Sequence, residues 1–294
     1  MSGIEATLLP TAVTILLWGS YLAPSKKSSF EPEAQIFLLA VGNAAFATLA
    51  FLSSPFTLTA DAFLHSFIAG LIWAVGGIAA FFGIKHLGLT RGPGIWIPGK
   101  TISSFLIGIA IFGELISEGV TNLLLAIVSL MLLVVGMAII ILNPPAGSQE
   151  TKVVNIKTGL LAALAVIVFW SVYLIPLKML PDPAYSKVLP MSIGMLIGTS
   201  LLGIRKLREV RILNTSMATF SGVIWGIGNY TSLIMFDLMG VSRGFAISQL
   251  ALVVNTLWGI VIFREITDAK TRIKILFGLA IALIGGIILS LSKL

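Results

Sequence analysis

Cysteine is absent from this chain of 294 residues, and histidine occurs only twice, at His65 and His86. Without cysteine there is no disulfide, no thiol nucleophile and no cysteine-ligated zinc. Two histidines offer little to a conventional metal site, so no metal is expected. Charged residues are also scarce, at 11%, whereas a soluble domain carries about 25%. These shortages exclude an ordinary soluble protein.

The sequence also lacks the groupings that carry catalysis. No nucleophile is spaced to meet a base, no glycine-rich loop opens a soluble helix, and no soluble stretch is long enough to hold a nucleotide. We therefore expect neither an enzyme nor an ATP-driven pump, and no cofactor. The net charge of +7 is spread over short loops between apolar runs, so nucleic acid is not an expected partner.

Apolar residues are abundant, making up 57% of the chain and giving a mean hydropathy of +1.05. A run of about 20 apolar residues can cross a bilayer as a helix. Ten runs qualify: 7–25, 34–53, 63–86, 92–112, 120–142, 157–178, 186–203, 214–237, 243–263 and 273–292. We predict an all-α integral membrane protein with ten transmembrane helices.

One half of the sequence repeats in the other. The segment from Trp18 to Lys26 (WGSYLAPSK) returns 152 positions later, from Trp170 to Lys178, as WSVYLIPLK. The same offset relates Gly70 to Gly222, Trp73 to Trp225, Gly76 to Gly228, Gly88 to Gly240, Arg91 to Arg243 and Gly92 to Gly244. The polar linker 143–152 divides the chain into five-helix repeats at 1–147 and 148–294. Because five is odd, we expect the second repeat to be inverted, a common design of secondary transporters.

Lysine and arginine are unevenly distributed over the loops. The loops after predicted helices 1, 3, 5, 7 and 9 hold 14 of the 19 basic residues: Lys26, Lys27, Lys85, Arg91, Lys152, Lys157, Arg205, Lys206, Arg208, Arg211, Arg264, Lys270, Arg272 and Lys274. The opposite side holds Lys178, Lys187, Arg243 and Lys293. Because cytoplasmic loops are enriched in Lys and Arg, we predict a multi-pass protein of the cell membrane with the first set of loops cytoplasmic and both termini outside.

Lys100 is the one charged side chain that falls clearly inside a predicted span. Helical spacing puts it on one face with Trp96 and Ser103, which would bring together an aromatic ring, a cation and a hydroxyl. Charged groups at membrane depth usually face a cavity, but a lysine can also extend towards the interface or pair within the structure. Both interpretations are open, and Lys100 is a candidate substrate-binding residue.

Aromatic and amide side chains supply the other candidates for substrate binding. Two pairs of tryptophans recur in the repeat: Trp18 with Trp170 and Trp73 with Trp225. Tryptophan is common at membrane interfaces, yet its face also stacks on the C–H face of a sugar, whose hydroxyls bond to amides. Buried amides bind either a neighbouring helix or a polar ligand. The further candidates are Tyr21, Tyr173, Asn229, Gln249 and Asn255.

Glycine and proline inside a span let the helix bend or approach a neighbour, and both interpretations are open here. The candidate hinge residues are Gly76, Gly77, Pro98, Gly99, Gly226 and Gly228. Glu114 and Glu265 end predicted helices 4 and 9, where we expect gates, with Lys178 and Lys26 as their hypothetical partners. No carboxylate falls deep in a span, where proton-coupled carriers usually keep one.

Several motifs in this order resemble the drug/metabolite transporter superfamily. They are Trp18-Gly-Ser-x-x-x-Pro-x-Lys26, Gly70-x-x-Trp73-x-x-Gly76, Gly88-Leu-Thr-Arg-Gly92, and the endings Phe112-Gly-Glu114 and Phe263-Arg-Glu265. Within it they are most similar to the glucose/ribose porter branch of sugar transporters. The resemblance implies two five-helix halves in which helices 1–4 and 6–9 surround a central cavity and helices 5 and 10 pack peripherally. Lys100 departs from a neutral-sugar pocket and indicates an anionic substrate, such as a carboxylated sugar or an amino acid.

These observations predict a secondary transporter that moves a small polar metabolite, first of all a sugar, by alternating access between the two halves. The alternatives are an exporter or exchanger of amino acids, organic anions or drugs, and a membrane receptor or scaffold that transports nothing. The expected partners are a small-molecule substrate and the lipid bilayer, with a proton or sodium ion as the candidate coupling ion. The sequence does not define the oligomeric state.

Overall fold

A computed structural model describes residues 3–24, 32–53, 58–143, 155–179, 181–207, 212–264 and 268–292. This part of the chain contains helices and turns and no β-strand. The α-helices are α1 Gly3–Ser20, α2 Pro32–Ser53, α3 Ala60–Ala110, α4 Val120–Leu142, α5 Ile156–Val172, α6 Leu174–Met179, α7 Ala184–Lys206, α8 Ile212–Met239, α9 Val241–Ser248, α10 Ala251–Leu257 and α11 Ala269–Leu291. A 3-10 turn covers Ile116–Glu118, and a π-helical turn covers Trp258–Ile262.

Seven helices in the described ranges are long and apolar enough to cross a membrane, and two shorter apolar helices, Ala6–Ser20 and Ile95–Ala110, accompany them. The chain is therefore an all-helical integral membrane protein. The count of ten spans and their arrangement as inverted repeats stay predictions.

Polar side chains fix where several helices begin. Thr59 caps α3 by accepting a bond of 3.1 Å from the amide of Ala62, and Asn155 caps α5 in the same way. Asp268 caps α11 by accepting the amide of Thr271 at 2.8 Å, and this bonding holds the pKa of its carboxyl below the usual value. Each cap satisfies a backbone donor that the first helical turn leaves unpaired.

The helical backbone of α3 runs for 51 residues and contains the predicted third and fourth spans. As a straight rod it would measure about 75 Å, far more than the roughly 30 Å of a bilayer core. Yet the indole ring of Trp96 lies against Gly83, where a Cβ would sit 2.7 Å from it. In a straight helix those two residues would be about 20 Å apart. The chain therefore folds back between Gly83 and Trp96, and its two arms contain the candidate span Ala60–Leu87 and the shorter apolar helix Ile95–Ala110.

The sixth predicted span is broken in two. Helix α5 ends at Val172, Tyr173 forms a turn, and α6 begins at Leu174. Pro176 explains the break, because proline has no amide hydrogen to donate to the carbonyl of Val172. A second departure lies in the ninth predicted span, where α9 and α10 are separated and a π-helical turn follows.

The two halves are joined by close crossings between glycines. Gly42 of α2 packs on Gly222 of α8, and Gly70 of α3 packs on Gly194 of α7. The two crossings are equivalent in the sequence repeat, because the offset of 152 relates Gly42 to Gly194 and Gly70 to Gly222. Small residues permit such approach of helix backbones inside a membrane.

Helices α4 and α11 pack mainly against each other. Gly136 of α4 meets Gly278 and Ala282 of α11, so the two backbones lie close together. The other face of α4 leaves Val128 and Met131 more than half exposed. An apolar face of this kind suits contact with lipid.

Candidate functional site

Four tryptophans from four helices form one continuous row, here called the aromatic row: Trp18, Trp225, Trp73 and Trp170. Trp18 of α1 stacks on Trp225 of α8 with ring centroids 6.1 Å apart, and Trp170 of α5 stacks on Trp73 of α3 at 5.9 Å. Trp73 and Trp225 join the two stacks at 5.1 Å. Both are buried, so they lie in the protein interior and are not interface anchors. The row crosses from one half of the chain to the other.

Glycines make room for the ends of the aromatic row. Gly76 of α3 faces the indole of Trp170, and Gly228 of α8 faces the indole of Trp18, where a Cβ would lie 2.6 Å from the ring. The helices continue unbroken through both positions. Gly77 and Gly226 likewise sit in continuous helix, against Ile36 and Asn43. The structure thus gives these four candidate hinge residues a packing contact, and bending at them stays a prediction.

The two outer indoles differ in their hydrogen bonds. Trp170 donates its Nε1–H to the backbone carbonyl of Trp73 at 3.1 Å. Trp18, its counterpart in the repeat, has a buried Nε1 with no partner among the described residues. Because a buried N–H is normally paired, this donor is a candidate contact for a polar ligand.

Lys100 lies on the second arm of α3 and is partly buried. Its Nζ sits over the ring of Trp170, 5.1 Å from the centroid, and over the ring of Phe245 at 5.6 Å. Ser171 donates its hydroxyl to the Lys100 carbonyl at 3.3 Å. The side chain is therefore directed to the end of the aromatic row. Phe245 did not emerge from the sequence, since one phenylalanine among 17 carries no distinguishing pattern.

The other predicted members of the Lys100 face have separate environments. Trp96 is buried in the bend of α3, in an apolar cluster with Ala80 and Leu87. Ser103 is partly exposed, and the buried hydroxyl of its neighbour Ser104 has no partner among the described residues. Trp96 therefore has an evident structural role, and Ser103 stays a candidate for substrate binding.

Two predicted binding amides bond to backbone carbonyls of the protein itself. Gln249 donates to the carbonyl of Phe245 at 3.3 Å and to the hydroxyl of Ser248 at 3.0 Å. Asn255 donates to the carbonyl of Gly19 at 3.4 Å, a contact between the halves. Their amide oxygens remain as the groups that a ligand could use.

Asn229 and an unpredicted residue, Asn43, lie fully buried where α2, α7 and α8 meet. Asn229 donates to the sulfur of Met191 at 3.6 Å. Asn43 donates to the Ser192 hydroxyl at 2.8 Å, while its Oδ1 has no partner among the described residues. An isolated amide in an otherwise apolar span is the sequence signal that could have identified Asn43 and was missed.

The two repeated tyrosines flank the aromatic row. Tyr173 is buried in the apolar core that contains Trp73 and Trp225, and Tyr21 packs against that core. Both therefore stay candidates for binding, as the sequence predicts.

A local tightening of the helix lies in the second half, within the candidate span Val241–Ile262. Between α9 and α10 the amides of Gln249 and Leu250 bond three residues back, to Ala246 and Ile247, which tightens the turn. The offset of 152 relates Leu250 to Pro98. The helical backbone continues through Pro98 and Gly99, and bending at these two candidate hinge residues stays a prediction. Thr101 donates to the Ile97 carbonyl at 2.7 Å, which adds a bond beside the proline.

At one end of the bundle, acids of the first half bind the second half in what we call the end cluster: Glu114, Glu118, Ser242, Arg243 and Ser292. Glu114 accepts the amides of Val241 and Ser242 at 2.7 Å each, and the Ser242 hydroxyl at 2.6 Å. A carboxylate in this position caps the first turn of α9 and complements its dipole.

Arg243 is the buried centre of the end cluster. It forms a two-pronged ion pair with Glu118 and donates to the hydroxyl and carbonyl of Ser292 at 3.1 Å each. Glu118 belongs to the first half, and Ser292 follows α11. Three segments of the chain are therefore tied together through one guanidinium group.

The predicted gate pair between Lys178 and Glu114 is wrong in this structure. Lys178 instead donates to the Phe236 carbonyl at 3.1 Å and lies 3.6 Å from the carboxylate of Asp237. The buried Lys187 approaches the same carboxylate at 3.7 Å. Glu114 instead binds the backbone amides at the start of α9. A sequence pattern could not show this contact. Glu265 and Lys26, the other predicted pair, lie outside the described residues.

A cavity of 480 Å³ opens beside α8 and is lined by Thr215, Ser216, Thr219, Phe220 and Val223. All five belong to one helix, and none is in the aromatic row, so this cavity is not the candidate site. Among the described residues no group of His, Cys, Asp and Glu could hold a metal ion.

Membrane-spanning helices around an interior of stacked aromatics, buried amides and the ammonium group of Lys100 define an integral membrane protein of the transporter class. The chain belongs to the sugar transport protein family, whose model matches residues 8–292. The match supports a sugar transporter family, and the wider drug/metabolite superfamily stays a prediction.

Individual relatives span nearly the whole chain. The "Putative sugar uptake protein" of Enterococcus faecalis is 26% identical over 289 residues, covering 98% of this chain and 99% of the relative. The "Probable glucose uptake protein GlcU" of Priestia megaterium is 27% identical over 281 residues, covering 95% and 96%. A solved crystal structure superposes with a TM-score of 0.71 over 95% of this chain and 98% of the other, at 21% identity, which shows a shared fold alone.

Proposed function

We propose that this protein is a secondary transporter that moves a small sugar across the cell membrane by alternating access between its two halves. The observation that carries the proposal is the aromatic row, which lies in the interior and takes two tryptophans from each half. The C–H face of a sugar stacks on indole, and its hydroxyls bond to nearby polar groups.

Polar groups for those hydroxyls are available beside the row. The unpaired Nε1 of Trp18 offers a donor, and the amide of Gln249 lies at the break between α9 and α10. Transporters commonly bind substrate at such discontinuous helices near the membrane midplane. Relatives named for sugar and glucose uptake support the same substrate class.

Alternating access is supported by a set of contacts that occurs once in each half of the repeat. In one set, Trp18 contacts Trp225 and Gly228. In the equivalent set, Trp170 contacts Trp73 and Gly76. Two equivalent halves can rock about such an arrangement. In this proposal the end cluster is the closed gate at the non-cytoplasmic end, and its bonds break when that end opens. The loops after predicted helices 1, 3, 5, 7 and 9 face the cytoplasm.

Counterflow in proteoliposomes tests the transport proposal. Purified protein is reconstituted with unlabelled sugar inside, and entry of labelled glucose, ribose and rhamnose is measured beside labelled amino acids. We expect saturable entry of at least one sugar and none of the amino acids. Flux of amino acids alone would move the function to the exporter alternative, and no flux at all would favour a receptor or scaffold.

Variants connect that flux to the aromatic row. Trp73→Ala removes the central ring, whereas Trp73→Phe keeps an aromatic face. Trp258→Phe is the matched control, because Trp258 lies outside the row and bonds to Ser20 through its Nε1. We expect Trp73→Ala to abolish flux while Trp258→Phe retains it. Equal flux in all three variants would reject the row as the sugar site.

A further inference from the structure

The ammonium group of Lys100 lies over two aromatic rings. Its Nζ lies 5.1 Å from the ring centroid of Trp170 and 5.6 Å from that of Phe245. The two rings come from different helices, α5 and α9, and Lys100 itself comes from α3. Three helices of both halves therefore meet at this one cation.

No carboxylate neutralises Lys100 in the described part of the chain. The acids of the end cluster are engaged elsewhere, Glu114 by the start of α9 and Glu118 by Arg243. Asp237 is shared by Lys178 and Lys187. The sequence places its remaining acids near predicted helix ends or in loops, away from the middle of a span.

Aromatic faces compensate a cation only in part. The ring quadrupole attracts the ammonium group, but it supplies neither a counter-charge nor a strong acceptor for the three N–H donors. A cation held at membrane depth without an acid is a site of positive potential, and intramembrane charge usually marks a substrate or ion path. An anion is the natural occupant of such a site.

The location of this cation relates it to the proposed sugar site. Trp170 is the outer member of the aromatic row on the Lys100 side, and its Nε1–H bond to Trp73 fixes the ring face over which Nζ sits. Ser103, one turn further along α3, is partly exposed. A sugar stacked on the row would place a charged substituent against Nζ.

We infer that Lys100 is a specificity residue that binds an acidic group of the transported sugar, a carboxylate or a phosphate. The inference rests on the proposed sugar transport and narrows it to anionic sugars. Phe245, on α9 of the second half, contacts the ammonium group of Lys100 on α3. The contact between Lys100 and the acidic group of the sugar therefore forms only when α9 and α3 are close. The same positive charge disfavours cationic drugs as substrates.

Paired substrates give the direct test. Glucose and glucuronate differ only at C6, where glucuronate carries a carboxylate, and glucose 6-phosphate carries a phosphate there. Wild-type protein in liposomes is given each labelled compound, with the others as competitors. We expect glucuronate or glucose 6-phosphate to be carried with at least tenfold lower KM than glucose, since tenfold is about the effect of one charge-assisted bond.

Variants of Lys100 give the second measurement. Lys100→Met keeps the length of the side chain and removes the charge, and Lys100→Arg keeps the charge. We expect Lys100→Met to lose at least tenfold in anionic flux while glucose competes as well as or better than before, and Lys100→Arg to restore part of the anionic flux. Fluorescence-detected gel filtration checks that both variants are folded.

The outcomes separate the two proposals. Wild-type flux of glucose with no preference for the acids would overturn the role of Lys100 and leave sugar transport standing. Absence of flux for every sugar would overturn sugar transport itself and this inference with it. Because the wild-type comparison decides the preference, the inference is testable even where Lys100→Met fails to fold.

Discussion

Trp73 packs against Trp225, its own counterpart in the repeat, with ring centroids 5.1 Å apart and planes tilted by 54°. Two residues 152 positions apart in the chain thus occupy equivalent places and touch each other. If the predicted repeats are related by an internal symmetry axis, contact between counterparts is expected where that axis passes. The two outer tryptophans extend the row to both sides.

Changing this central pair should affect stability in a coupled way. We expect Trp73→Phe and Trp225→Phe each to lower the free energy of unfolding. The double variant should lose less than the sum, with a coupling of about 0.5–1.5 kcal/mol, because the second change removes no further indole–indole contact. Thermal unfolding in detergent measures all three. Strict additivity would contradict direct packing of the two rings.

Adding one methyl group beside an outer indole should disturb the row from its end. Gly76→Ala places a Cβ against the ring of Trp170, and overpacking of this kind costs about 1–3 kcal/mol. Displacement of Trp170 also moves the ring beneath Lys100, so we expect lower flux together with a lower melting temperature.

Gly77→Ala is the matched control for that change. It lies next to Gly76 in the same helix, but its nearest neighbour is the flexible end of Ile36. Its melting temperature should stay closer to that of the wild type. If both variants lose the same stability, crowding of Trp170 is not the cause.

Loss of the Glu114 charge should open the end of the molecule where the end cluster lies. Glu114→Gln removes the charge that caps α9, while its amide oxygen accepts at most part of the same bonds. Because the chain has no native cysteine, Met239→Cys provides a single buried thiol at this end. We expect maleimide to label it several times faster in the Glu114→Gln background.

Asp61→Asn serves as the control in that labelling experiment. Asp61 is an exposed acid in the first turn of α3 and takes no part in the end cluster. Its loss should leave the labelling rate unchanged. Labelling that rises equally in both backgrounds would show a general effect of charge, and the end cluster would no longer qualify as a gate.

Breaking the buried ion pair should be costly for stability. Arg243→Gln leaves Glu118 without its partner and removes the bonds to Ser292, so we expect a loss of roughly 3–5 kcal/mol. Arg243→Lys keeps the charge but not the two-pronged geometry, and should lose less. Chemical unfolding of the two variants beside Glu118→Gln measures this. An Arg243→Gln protein as stable as the wild type would contradict the pairing.

Membrane class and the repeated residues followed directly from the sequence. Mean hydropathy and the length of apolar runs are sums over neighbouring residues, so they need no knowledge of the fold. The offset of 152 identified Trp18 with Trp170 and Trp73 with Trp225 as equivalent positions. Their meeting in one row agrees with that equivalence, although the repeat alone did not say which rings would touch.

The tertiary structure determined which side chains and backbone groups from different helices bind one another. Glu114 binds the start of α9 and not Lys178, because its choice depends on which helix end lies opposite in space. The helical hydrogen bonds tighten at Gln249, whereas the α-helix continues through Pro98, since packing and the hydroxyl of Thr101 can support a proline within a continuous helix. Spacing along one chain carries no information on either point.

The sequence by itself determined that this protein lies in a membrane, repeats its own half, and places a lone cation inside a span. Those properties depend on composition and on order along the chain. Only the tertiary structure showed the contact of Trp96 with Gly83, the burial of Asn43 and the position of Phe245 beside Lys100. Each of these depends on contacts between residues far apart in the chain, and such contacts exist only after the helices have packed.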